Sequence, residues 1–207
     1  MEPLRHVRSV AVPMLLPNVD TDVMTPMRRL TGGAAHPLDH YAFEALRYLG
    51  GDGDTGEPDP AFPLNDPSFA GAQIMLTGPN FGCGSSRESA PMAIARLGFR
   101  VIVGSTFGDI FFSNCFQQGL LPIRLAPADV TALAADPGAV IEVDVVAQTI
   151  VAGGVRVDFE LNPLRKACLL EGTDLVGLSL TYADDISAFE ARHRDAQPWV
   201  FDVATVP

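Results

Sequence analysis

The sequence predicts an α/β domain built on a mixed β-sheet with flanking helices. Two observations carry that expectation. Short β-branched runs alternate with helix-period segments along the whole chain. Apolar residues make up 47% of the 207 residues and charged residues only 19%, so a sizeable core can be buried. One compact domain is expected over 1–207, because no internal repeat, low-complexity tract or linker-like shift in composition divides the chain.

Taken in order, Val7 to Val12 reads as a short strand. The polar turn Pro17-Asn18-Val19-Asp20-Thr21-Asp22 follows and ends at Pro26. Leu38, Tyr41, Ala42, Ala45, Leu46 and Leu49 recur at helical spacing, which predicts a helix over Asp39 to Leu49. Gly50 to Pro67 is dense in Gly, Asp and Pro and reads as a surface excursion. Ala72 to Thr77 is a strand, and the loop from Gly78 to Gly84 leads to a helix expected from Ser85 to Leu97. Phe99 to Val103 is a buried-type strand, Asp109 to Phe116 a helix and Leu121 to Leu125 a strand. Pro127 to Ala135 is a short helix with Pro in its first turn. Val140 to Val146, Thr149 to Ala152 and Val155 to Phe159 are strands, the last two joined by Gly153-Gly154. Asn162-Pro163 is a cap-plus-Pro start for a helix to Leu170 that Gly172 ends. Ala183 to Arg194 reads as a last amphipathic helix, and residues 198–207 as a loose tail.

The bulk numbers exclude several function classes. Lys and Arg number 14 against 25 Asp and Glu, a net charge of −11. Nucleic acid rewards clustered Lys and Arg and is disfavoured as a partner. An anionic small molecule stays open, because a site's potential is local. No apolar run approaches the ~20 residues of a membrane span. Met1 to Val12 has scattered charges and no secretory apolar core. Cys83, Cys115 and Cys168 are odd in number, far apart and in no Cys-x-x-Cys, which fits a reducing cytoplasm and predicts no metal or cluster bound by this chain.

The chemistry concentrates in Gly82-Cys83-Gly84-Ser85-Ser86-Arg87-Glu88. Gly78, Gly82 and Gly84 allow tight turns and close approach of a ligand to the backbone. A helix start behind them offers free N–H groups and a positive dipole end, an arrangement suited to anions. Arg87 adds a planar fork matched to a carboxylate. A structural reading stands beside this one: Ser85-x-x-Glu88 is a capping box, in which Ser85 only satisfies a backbone amide. A phosphate loop is weaker, since the Gly-Lys-Ser/Thr ending is missing.

Gly-Pro-Asn-Phe-Gly-Cys-Gly-Ser-Ser-Arg-Glu at 78–88 resembles the signature of isopropylmalate dehydratase small subunits and of the swivelling domain of aconitases. Asn18-Val19-Asp20-Thr21-Asp22 resembles the other hallmark. The likeness continues through Gly98 to Ile102, Asp109 to Phe116, Gly119 to Pro122, Arg165 to Gly172 and Asp174 to Leu180, so it covers nearly the whole chain. It implies a swivelling-domain fold and a hydro-lyase that interconverts 2- and 3-isopropylmalate by dehydration and rehydration. The implied partner is a large subunit that carries a 4Fe–4S cluster, whose open iron binds the hydroxyl and carboxylate of a small dicarboxylate. On this resemblance Ser85 matches the catalytic serine, the base that takes a proton from the carbon beside the departing hydroxyl. Ser86 and Arg87 match residues that hold a substrate carboxylate, and Thr21 and Asp22 match further substrate-site residues. Asp20 reads as a turn residue, and Cys83 as packing.

Two departures touch selection rather than chemistry. Family members read His-Ala-Pro-Trp where this chain has Ser89-Ala90-Pro91-Met92. Their Arg-Thr-Gly-Phe-Gly-like loop is replaced across 34–39. These changes predict tolerance of other alkylmalates, such as citramalate or dimethylmalate. A substrate with a third carboxylate, such as a homocitrate-like acid, would need a new cation, for which His36, Arg28 and Arg29 are the nearby candidates. A noncatalytic carboxylate-binding subunit and a stand-alone phosphate-binding domain are the competing classes.

Overall fold

The computed structural model describes residues 1–32 and 35–201. Its centre is a seven-stranded sheet in the order β4-β3-β2-β1-β5-β6-β7. The strands are β1 (His6–Met14), β2 (Ile74–Thr77), β3 (Val101–Gly104), β4 (Leu121–Arg124), β5 (Val140–Asp144), β6 (Thr149–Ala152) and β7 (Val155–Asp158). The longest of them, β1, serves two halves of the sheet. Ala11 to Met14 pair in parallel with β2, whereas His6 to Val10 pair antiparallel with β5. The β1–β2–β3–β4 half is parallel throughout, and β5–β6–β7 is an antiparallel meander.

The helices follow from how each half is covered. They are α1 (Thr21–Met24), α2 (Met27–Leu30), α3 (Glu44–Arg47), α4 (Ser89–Arg96), α5 (Asp109–Gln117), α6 (Pro127–Leu133), α7 (Pro163–Glu171), α8 (Leu175–Leu180) and α9 (Ala183–Ala196). Parallel strands need crossovers, which place helices on both faces. Every residue of β2 and β3 is therefore buried. The period-2 pleat divides them between two cores. Ile74, Leu76, Val101 and Val103 pack with Leu121, Val130 and Leu169, whereas Met75 and Ile102 pack with Ile94, Phe111 and Cys115. Pro122 is tolerated because β4 is an edge strand and has no outer neighbour to receive an N–H.

Several expectations are met and several corrected. Asn162 caps α7 by accepting from the N–H groups of Leu164 and Arg165, and Gly172 ends it at φ 68°. The helix expected over Asp39 to Leu49 shrinks to the single turn of α3. Tyr41, Ala42 and Phe43 are all fully buried, which three consecutive residues on one helix stripe cannot be. Phe43 is left-handed at φ 60°, which breaks the helix there. The helix expected from Ser85 begins only at Ser89. The capping box does not form, since the N-cap position is Glu88 and has no side-chain cap bond. The short helices α1, α2 and α8 were not foreseen, being too brief to show a period. The amphipathic α9 contributes no buried residue, and Phe189 on its apolar stripe is 56% exposed.

Candidate active site

The two hallmark segments are far apart in sequence but leave the C-terminal ends of adjacent parallel strands β1 and β2. Loops at that end of a parallel sheet are where ligands gather. Here they are stitched together by backbone. Asn18 N–H donates to the Pro79 carbonyl at 2.9 Å, Gly82 N–H to Val19 at 2.8 Å and Thr21 N–H to Cys83 at 2.9 Å. Asn80 Nδ2 donates to Asn18 Oδ1 at 2.8 Å. The loop after β3 joins from the other side, with Gly108 N–H donating to the Phe81 carbonyl at 2.9 Å.

Glycine is required here for space as well as for backbone freedom. Gly82 sits at φ 74°, and a Cβ there would lie 2.2 Å from Cγ of Phe111. A Cβ on Gly108 would lie 2.2 Å from the Gly82 carbonyl oxygen. The loop is thus pressed against α5 and held from beneath by the Phe81–Phe111 edge contact at 5.6 Å.

This packing presents Ser85 and Ser86 outward. Both are exposed, and neither hydroxyl has a protein partner among the described residues. Arg87 points inward, with 12% of its side chain exposed. Its Nη1 donates to Asp22 Oδ1 and, at 2.9 Å, to the Thr25 carbonyl. Its Nε is buried and unpartnered. Nη1 is therefore committed to the protein, whereas the buried Nε has no hydrogen-bond partner. Asp22 Oδ1 also accepts from the Met27 N–H at 3.1 Å, and these two bonds, the Arg87 one foremost, hold the Asp22 carboxyl below its usual pKa.

The remaining expected residues are brought to the same place in supporting roles. Thr21 is 1% exposed, and its hydroxyl donates to the Ser85 carbonyl at 2.9 Å. It fixes the loop and presents no free group. Asp20 caps α1 by accepting from the N–H groups of Asp22 and Val23, as a turn residue should. Ser89, one of the departures, has its hydroxyl 3.0 Å from that of Thr25. Cys83 is half-buried beneath the loop.

Next to Asp22 runs an open groove of about 410 Å³, whose walls include Asp20, Asp22, Met27, Arg28, Glu44 and Gly51. Its far wall holds a cluster that the sequence did not reveal. Glu44 is completely buried, and Arg28 and Arg29 donate to it at 3.0 and 2.8 Å. Arg29 also reaches Asp52 at 2.9 Å and Asp54 at 2.5 Å. Burial raises the Glu44 pKa, but the bonds from Arg29, Arg28 and the Gly53 N–H outweigh it and leave the carboxyl below its usual range. The Gly- and Asp-rich excursion supplies two of these anions. Gly53 stands where a Cβ would meet the Tyr41 ring at 3.0 Å, so a larger residue would press on the cluster. Asp-Gly-Asp in a polar loop looks like solvent-exposed turn chemistry, and nothing in the sequence alone ties it to Arg29.

The substitution stretch at 34–39 is described except for Ala34, which lies outside the described residues, as do residues 202–207 of the tail. Among the described residues no three His, Cys, Asp or Glu side chains converge as metal ligands, and Cys115 and Cys168 are separately buried thiols. The donor set of this chain does not fit an iron–sulfur cluster. No described helix is long and apolar enough to cross a membrane.

Comparison with known proteins gives consistent likenesses. Residues 1–128 match the model of the aconitase C-terminal domain, and residues 176–203 match that of the C-terminal domain of the 3-isopropylmalate dehydratase small subunit. The 3-isopropylmalate dehydratase small subunit of Neisseria meningitidis is 41% identical, over 98% of this chain and 100% of its own. That of Teredinibacter turnerae is 43% identical, over 95% of each. In fold, the chain resembles the crystal structure of 3-isopropylmalate dehydratase from Methanocaldococcus jannaschii, with a TM-score of 0.61 at 24% identity, covering 90% of this chain and 98% of that one.

Proposed function

The chain belongs to the family of 3-isopropylmalate dehydratase small subunits, and we propose that it completes, with a large-subunit partner, a hydro-lyase that interconverts 2- and 3-isopropylmalate. The observation that carries this reading is the half-committed guanidinium of Arg87 beside two exposed serines, on a loop locked by its neighbours. An alkylmalate is a dianion, and a substrate carboxylate that reaches Arg87 as the partner closes would give its buried Nε the acceptor it lacks. Ser86, next to it on the same exposed stretch, can add a hydroxyl donor.

Asp22 is itself an anion and would repel the substrate directly. Its part is to hold Arg87 in orientation by occupying the edge away from the substrate. Ser85 receives the proton from the carbon next to the departing hydroxyl, the electrons of that C–H bond become the double bond, and the neighbouring C–O bond breaks with its pair leaving on the hydroxyl, a departure that a Lewis acid on the partner would assist. A serine oxygen is a poor base in water. It becomes effective once the partner closes over it and donors stabilise the negative oxygen in a dry site. Thr21 keeps the Ser85 backbone from moving as the proton is transferred.

A 4Fe–4S cluster on the large subunit is what the resemblance implies, and the separated cysteines of this chain are compatible with it. Three unpaired thiols suit a cytoplasmic setting. Relatives of 41 and 43% identity over nearly the full chain favour isopropylmalate over the other alkylmalates that the altered 34–39 stretch suggests. The test is co-expression with the large subunit, anaerobic reconstitution and assay of both isopropylmalate isomers. Interconversion by the pair and by neither subunit alone is the expected result. A reconstituted pair inert toward both isomers would overturn the reading.

A further inference from the structure

Arg87 is turned inward, so its orientation depends on what its Nη1 grips. The two acceptors there are unlike. The Asp22 carboxylate is 59% exposed, and an ion pair so placed is weakened by water and salt. Thr25 is completely buried, and its carbonyl accepts from the same Nη1 at 2.9 Å. The Thr25 carbonyl is therefore the more rigid of the two anchors.

Thr25 ends α1, and Pro26 behind it favours the extended backbone that it adopts. Its side chain is braced from two sides. The hydroxyl lies 3.3 Å from the Thr21 carbonyl and 3.0 Å from the hydroxyl of Ser89. A hydroxyl has one proton to give. With that of Thr25 donated to Thr21, it is Ser89 that donates to Thr25. Ser89 is the first residue of α4 and follows Arg87 closely in the chain. The stretch from Ser85 to Glu88 is thus bracketed by α1. The Thr21 hydroxyl holds it at the Ser85 carbonyl, and the Thr25 hydroxyl holds it at Ser89.

We propose that Thr25 is a positioning residue for Arg87, with Ser89 as its brace. This rests on the reading of Arg87 given above, as the group that meets a substrate carboxylate. The sequence places Ser89 among the departures that touch selection. Its side chain is half-buried with the hydroxyl turned to Thr25, so the change at this position belongs with the holding of Arg87. A carboxylate is common to every alkylmalate. The pair therefore controls affinity, not the choice of side group.

The test is a double-mutant cycle of Thr25→Val, which keeps the branched shape and removes the hydroxyl, with Ser89→Ala. Thr131→Val is the control, since it deletes a hydroxyl with a like bond, to the Pro127 carbonyl at 2.9 Å on α6. In the full chain, solvent exchange of the Arg87 Nε–H, followed by NMR, should quicken about three- to tenfold in either variant, the range that loss of one hydrogen bond allows, and not in the control. In the reconstituted enzyme, KM for isopropylmalate should rise by about three- to tenfold, with kcat within about twofold of the parent. The double variant should exceed neither single effect, because each substitution breaks the same link. Thr25→Ser keeps the hydroxyl and should hold KM within about twofold of the parent.

Unchanged exchange at the Arg87 Nε–H in both variants overturns the positioning role. Effects that add in the double variant overturn the pairing, since Ser89 then acts apart from Thr25. A shifted kcat/KM ratio of isopropylmalate to its methyl analogue in Ser89→Ala returns that residue to selection and overturns the brace. A fall in kcat that tracks lost thermal stability, with KM unchanged, reduces the pair to structure and overturns the proposal as well. A parent enzyme inert toward both isopropylmalate isomers sinks the functional reading and the carboxylate role with it, while the exchange data still decide whether Thr25 orients Arg87.

Discussion

Replacing Ser85 with Ala separates a structural serine from a chemical one by magnitude. If Ser85 capped the helix, its loss would cost about 1 kcal/mol. In a chain of this length that lowers the melting temperature by about 2–4 °C. The helix starts at Ser89, with Glu88 in the cap position, and Ser85 is exposed with its hydroxyl unpartnered. The expected stability change is therefore that of an ordinary surface substitution, within about 0.5 kcal/mol. If Ser85 takes the substrate proton, its loss should slow turnover by about 10²- to 10⁴-fold. That is an activation cost of about 2.7–5.5 kcal/mol. KM should stay near the parent value if, as proposed, Arg87 and Ser86 hold the substrate. The assay pairs a thermal melt of the purified chain with steady-state kinetics of the reconstituted enzyme on both isopropylmalate isomers. Turnover within about fivefold of the parent would refute the base. A melting temperature lowered by several degrees would refute the claim that the side chain supports nothing.

Other perturbations probe the frame around that serine. Arg87→Lys keeps the charge but loses the planar fork, and kcat/KM should fall by about 10²-fold while assembly with the large subunit, followed by gel filtration, persists. Gly82→Ala forces a Cβ to 2.2 Å from the Phe111 ring at a φ of 74° and should lower stability by about 2–5 kcal/mol in urea titration. Glu44→Gln removes the buried anion shared by Arg28 and Arg29 and should cost about 2–3 kcal/mol, read the same way. Because the folded Glu44 pKa lies below its ordinary value of 4.5, its stabilisation is present above that pH and disappears as pH falls through the lower folded value. Acid titration followed by circular dichroism should accordingly show a shallower loss of stability below pH 4.5 in Glu44→Gln than in the parent.

What the sequence discloses depends on the distance over which each residue's role is decided. Strands β2 and β3 are readable because continuous apolar runs have few other uses, and α7 because Asn162, Pro163 and Gly172 mark its ends by local chemistry. The 39–49 segment misleads because its apolar spacing imitates a helix while its side chains are packed into a compact turn, with Phe43 left-handed. Ser85-x-x-Glu88 misleads in the same way: it has the spacing of a capping box, yet the backbone there is held to the start of α1 by the Thr21 hydroxyl, and the helix starts later. Propensity lost to a tertiary contact in both cases.

The same distinction explains why the site's identity was legible and its internal division of labour was not. Ser85, Ser86, Arg87, Thr21 and Asp22 are all found together, as the two hallmark segments imply. A motif names residues that meet; it does not say which of them face the ligand. Burial and the bonds already made say which side chains are committed within the chain. Thr21 is buried with its hydroxyl committed, Asp22 is bonded to an arginine, and Ser85 and Ser86 are left open. The Glu44–Arg29–Asp54–Tyr41 set lies further out of reach, because its members stand on three segments, each polar for an apparent local reason.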